Sequence, residues 1–78
     1  MLDQGTKKVT ETGRIRVTRT PPIDPVHGVT RGREFDVHAV TREKGGKGRL
    51  EKVWIWGDAN AEAALLPSEF EWIEEPGS

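Results

Sequence analysis

The chain contains no cysteine and no tyrosine, and its aromatic side chains are limited to three tryptophans and two phenylalanines in 78 residues. Without cysteine, disulfide staples, thiolate nucleophiles and cysteine-ligated metal sites are excluded, and a reducing, cytosol-like setting is the matching expectation. So few aromatics in so short a chain leave material for one small core. A domain near this size hides only about 60% of the surface its unfolded form exposes, so each large apolar side chain carries an unusual share of the stability. No apolar run approaches the ~20 residues needed to span a bilayer, so no membrane partner is expected. The opening residues Met1 to Lys8 place a basic pair after a polar stretch with no apolar run behind it, which is not the pattern of a secretory signal. A cytoplasmic protein is expected on these grounds.

Basic residues are absent from the last third. Residues 1 to 52 hold all twelve Lys and Arg and seven acidic side chains, whereas residues 53 to 78 hold six acidic side chains, so the net charge of −1 conceals two opposed halves. Such asymmetry produces either a basic face for an anionic partner or, where the halves interleave, a self-complementary surface; the latter is the favoured expectation.

Along the chain, residues 1 to 12 offer only Leu2 and Val9 for burial and are expected as a loose or disordered arm, with a body over residues 13 to 75 and a frayed tail over 76 to 78. Arg14 to Arg19 alternates polar and apolar, which places Ile15 and Val17 on the inner face of a half-buried strand. Three prolines within Pro21 to Pro25 forbid a helix interior or a central strand and define a long, stiff loop. From Arg33 to Val40, Phe35, Val37 and Ala39 share one face at period two. Gly45, Gly46 and Gly48 mark a hairpin tip; Leu50 to Trp56 is again strand-like, with Val53 and Ile55 on one side and Lys52, Trp54 and Trp56 on the other. Ala61 to Leu66 is read as a short strand, Pro67 to Glu69 as a tight 3-10 turn with proline at its start, and Phe70 to Glu74 as the closing strand. The outcome is an all-β fold, a small barrel of about five antiparallel strands.

Trp54 and Trp56 are the first candidate binding residues. If Val53 and Ile55 fill the core, the two indoles stand on the opposite face, where rigid amphipathic rings suit a protein interface or base stacking. The competing arrangement has the proline-rich loop, with Ile23 and Val26, curl over and cover them. Arg14, Arg16, Lys47 and Arg49 are candidates for nucleic-acid contact beside the tryptophans; a pI near 6.1 ranks this second. His27 and His38 stand alone without cysteines, so no metal site is expected. Glu69, Glu71, Glu74 and Glu75 are accompanied by no nucleophile or orienting base. Neither catalysis, a cofactor nor a small-molecule substrate is expected.

Three segments resemble the SH3-type barrel. Thr30-Arg31-Gly32-Arg33-Glu34-Phe35-Asp36-Val37 resembles the turn and strand after that family's long RT loop, Val53-Trp54 its tryptophan-bearing central strand, and Leu65-Leu66-Pro67-Ser68-Glu69-Phe70 its proline turn before the last strand. The chain is also similar to the small SH3-like proteins of bacteriophages and bacteria, whose partners are diverse. The resemblance implies a groove for a polyproline helix at Trp54, Pro67 and Phe70. Combined with the strand analysis, it leads to a non-enzymatic protein-interaction module, such as a phage-type accessory protein acting on a host protein in the host cytoplasm. Its expected contacts are Trp54, Trp56, Pro67 and Phe70, with Arg31 and Arg33 on the rim. Nucleic-acid binding and a structural role in a larger assembly are the alternatives.

Overall fold

A computed structural model describes residues 6 to 43 and 49 to 77. Its secondary structure is all-β: strands β1 (Thr6–Val9), β2 (Gly13–Val17), β3 (Glu34–Glu43), β4 (Leu50–Trp56), β5 (Glu62–Leu65) and β6 (Phe70–Glu74), with 3-10 turns at Pro25–His27 and Pro67–Glu69. All pairings are antiparallel and form one sheet in the order β5-β4-β3-β2-β6, with β1 also paired to β3.

Alternation fixes which side of this sheet is dry. Ile15, Val40, Val53, Ile55 and Leu65 are fully buried, and Val17, Val29, Phe35, Val37, Ala63 and Phe70 complete the same cluster. Hiding a side chain of this kind contributes about 1.5–3 kcal/mol, so these buried aliphatics, with Val17 and Val37 as thoroughly covered as the first five, dominate the stability of so small a chain. The end strands β5 and β6 both feed this cluster, so the sheet wraps around one core.

Two features depart from the expectations above. The strand Thr6–Val9 lies within the stretch expected as a loose arm: it pairs with Glu43, Arg42, Thr41 and Val40 of β3, and Val9 packs against the core. Its own pattern is too polar to declare a strand; the long partner strand supplies the ladder. Ala39 also departs from the face expected for it. Between Val37 and Ala39 the register with β4 shifts, so β3 spends one extra residue against β4. Such a bulge reverses the facing of everything after it. Val40 therefore takes the core position opposite Val53, while Ala39 pairs with Trp54 and lies outside the core cluster.

The long loop between β2 and β3 is pinned at both ends. Asp24 accepts from the Val26 amide at 3.0 Å and opens the first 3-10 turn, which Gly28 closes at φ +66. A side chain at Gly28 would meet Asp58 and Arg33. The second turn is closed by Glu69, which is buried and accepts from the Leu66 amide at 2.9 Å, while its carbonyl receives the Thr18 amide at 2.9 Å. The strands expected at 61 to 66 and 70 to 74 flank this turn as Glu62–Leu65 and Phe70–Glu74.

Candidate protein-interaction surface

Alternation along β4 sends Val53 and Ile55 inward and turns Lys52, Trp54 and Trp56 to the outer face. Trp54 pairs with Ala64 of β5 and with Ala39 of β3; Trp56 pairs with Glu62. The two indoles are nevertheless unlike. Trp54 is half-buried: its Nε1–H donates to the Thr41 hydroxyl at 2.8 Å, and Lys8 and Lys52 hold their ammonium groups 4.2 and 5.3 Å from its ring centre. The cover over this ring therefore includes strand β1 and not the proline-rich loop, since Ile23 packs against the core and Val26 is exposed.

Trp56 is 54% exposed, yet it is fixed in place. The His38 imidazole, carried out of the β3 ladder by the bulge, stacks on it with ring centres 4.8 Å apart and planes 16° from parallel. Glu62 holds that imidazole through its Nε2 at 2.6 Å and accepts the Lys8 ammonium at 2.8 Å. These hydrogen bonds, that of Lys8 first and that of His38 second, hold the Glu62 carboxyl below the usual glutamate value. Lys8, His38, Trp54, Trp56 and Glu62 thus form one connected outer-face cluster. Three of its members, Lys8, His38 and Glu62, come from segments that show no binding pattern in the sequence; the two-residue spacing of Trp54 and Trp56 was the one signal pointing to this face.

The remaining candidates are dispersed. Phe70 is buried, 7% exposed, and meets the Trp72 ring edge-on at 5.3 Å, so it belongs to the core and offers no groove contact. Pro67 is exposed, but follows Leu65, which pairs with Val53, and so lies toward the end of β4 opposite Trp56. Arg33 is a clamp, with Nη1 donating at 2.7 Å to both the Gly28 carbonyl and the Asp58 carboxylate, and its guanidinium over the Phe35 ring. Arg31 is exposed and makes no ion pair with a described residue.

The basic candidates on the first strand of the body are neutralised across the sheet. Arg14 donates to Asp36 at 2.7 Å and to Glu34 at 3.4 Å; Arg16 donates to Glu71 at 3.0 Å and to Glu34 at 3.1 Å. Lys47 lies outside the described residues, and Arg49 is exposed. A cleft of about 560 Å³ has Thr12, Gly13, Asp36, His38, Glu74 and Glu75 among its lining residues, with Asp36 already committed to Arg14. Among the described residues no three His, Asp or Glu side chains are grouped to hold a metal ion.

Comparison with protein-family models, with curated proteins and with solved structures finds no match to this chain.

Proposed function

We propose that this chain is a non-enzymatic SH3-like domain that works as a protein-interaction module, with the outer face of β4 and β5 around Trp56 as its contact surface. The SH3-like part of the reading is supported by a long loop between β2 and β3, a tryptophan-bearing β4 and a proline-started 3-10 turn between β5 and β6. The polyproline groove implied by that resemblance is not retained, because Phe70 is a core residue and Trp54 is overlaid by Lys8.

The observation that carries the proposal is the half-exposed indole of Trp56, immobilised by His38 and Glu62. Tryptophan is the residue most enriched among binding hot spots, and a ring already locked in one position loses little entropy when a partner covers it. Nucleic-acid binding is the weaker reading: Arg14 and Arg16 are engaged by carboxylates, so their charge is largely spent.

The test is capture from lysate, nuclease-treated and untreated, on immobilised wild type, Trp56→Ala and the double variant Arg14→Gln/Arg16→Gln. A protein retained by wild type and by the arginine variant but lost with Trp56→Ala supports the proposal. Retention by Trp56→Ala equal to wild type refutes it, as does retention that requires nucleic acid.

A further inference from the structure

We infer that the free edge of β5 pairs with β5 of a second copy of this chain, antiparallel across a two-fold axis, in the register that sets Glu62 opposite Ala64 of the second copy. This goes beyond the reading of Trp56 as a contact residue and does not rest on it. The direction of the main chain comes first. Gly57 and Ala61 continue the β4–β5 register, and the Gly57 amide donates to the Ala61 carbonyl at 3.2 Å. Hydrogen-bonded and non-hydrogen-bonded pairs alternate along an antiparallel ladder, so Ile55 with Ala63 and Val53 with Leu65 are the next bonded pairs, while Glu62 and Ala64 turn their N–H and C=O away from β4. No described residue takes those groups up. β5 ends the sheet and pairs with β4 alone, and the main-chain hydrogen bonds outside the ladder stop at Ala61 and resume at Leu66.

The other outer strands are guarded and this one is not. β1 carries Lys7 and Lys8, and β6 carries Glu71 and Glu74 with a register shift opposite Arg14 and Ile15. Charges and bulges are what discourage strand addition at an edge. β5 has no Lys, Arg or Pro; its one charge, Glu62, is already met by Lys8 and His38, and the rest is Ala63, Ala64 and Leu65. The occupant is a second copy because this short strand is complementary to itself in one register. Glu62 opposite Glu62 of the second copy would oppose like charges. Ala64 opposite Ala64 would call on Leu66, whose amide and carbonyl are taken by Glu69. The remaining register pairs Glu62 with Ala64 in both directions, so every outward group is used. It also brings Ala63 opposite Ala63 at a non-hydrogen-bonded position, where strands approach most closely and a methyl side chain fits. Leu66, 50% exposed just past the end of β5, then falls beside the turn that precedes β5 in the second copy. A net charge of −1 leaves little repulsion between copies. Because the sheet continues across the axis, both Trp56 rings lie on the same outer face, and the dimer presents two contact surfaces side by side.

The experiment is sedimentation velocity on the full chain from about 10 µM to about 1 mM, with the amide signals of isotope-labelled protein followed over the same range, since an interface of one short strand is a weak one. A dimer is expected, with the largest concentration-dependent shifts at the Glu62 and Ala64 amides. Ala64→Pro removes a donor that β4 does not use, a change an edge strand tolerates, and because the two-fold axis removes that bond twice the dimer should weaken by about ten-fold or more. Ala64→Glu sets like charges opposite each other in this register and should weaken it comparably, which decides the question if the proline variant does not fold. Trp56→Ala should dimerise as wild type does. A chain that stays monomeric throughout the range overturns the inference, as does a dimer that both variants, still folded, leave intact. A dimer lost with Trp56→Ala overturns it as well, because the second copy then lies on the Trp56 face. Shifts at Glu62 and Ala64 that appear only when a captured protein is added to a monomeric chain overturn it in favour of a strand from another protein. The lysate capture with Trp56→Ala is read independently, so the dimer and the interaction reading can fail separately.

Discussion

Lys8 of β1 and Trp54 of β4 come from two strands that both pair with β3, and they meet with the ammonium 4.2 Å from the indole centre while the same ammonium reaches Glu62 at 2.8 Å. One side chain of β1 therefore covers one tryptophan and tethers the carboxylate that orients the other. Replacing Lys8 by alanine is expected to cost about 0.5–1 kcal/mol, the range of exposed cation–π contacts. The sharper sign is optical: Trp54 alone, in a Trp56→Phe/Trp72→Phe background, should become more accessible to acrylamide quenching. Unchanged quenching would mean that Lys8 does not cover the ring.

Phe70 and Trp56 separate core from surface. Phe70→Ala removes a ring from the core cluster and should cost about 3–5 kcal/mol, a large fraction of what a chain this size possesses. Trp56→Ala should leave the urea midpoint within the small range usual for surface positions. Comparable losses in both variants would show that Trp56 is a structural residue.

Gly28 sits at φ +66, where a Cβ would meet the Asp58 carboxylate and the Arg33 guanidinium. Gly28→Ala should destabilise by more than about 1 kcal/mol, combining backbone strain with disruption of the clamp. Arg33→Gln should be milder, because it keeps the glycine conformation and loses an exposed pair. Thermal melts of the two variants give the order directly.

Acid should loosen the fold through three carboxyls. Glu11 is lowered by its hydrogen bonds to Arg42, Asp58 by Arg33, and Glu62 by Lys8 and then His38. The folded chain holds these groups ionised at a pH where the unfolded chain has begun to bind protons. Their contribution is therefore complete above the ordinary values, 4.5 for glutamate and 3.8 for aspartate, and is lost as pH falls through the lower folded values. Urea midpoints between about pH 7 and pH 3 should fall, and Glu11→Gln should fall less steeply than wild type. Identical slopes would remove Glu11 from the account.

Much of the architecture was legible because local patterns and tertiary needs agree. Ile15 and Val17, Phe35 and Val37, Val53 and Ile55 all face inward as period two requires, and the proline before Ser68 marks a 3-10 turn. The site was legible only as far as Trp54 and Trp56. A bulge is a relation between two strands, so nothing in Val37-His38-Ala39 announces that His38 will leave the ladder and stack on Trp56. The same holds for Lys8, whose strand owes its existence to β3, and for Arg14 and Arg16, whose carboxylates lie 18 to 55 residues away. Phe70 was misplaced by a resemblance: the residue after the proline turn faces inward here, opposite Val17.

The claim that Trp56 anchors the contact surface is tested most directly by mapping the captured partner onto the labelled protein. We expect the largest amide and indole shifts at Trp56, Glu62 and His38, with Arg14, Arg16 and their carboxylates unmoved. Shifts concentrated on the Arg14–Arg16 ladder, with Trp56 unmoved, would contradict it.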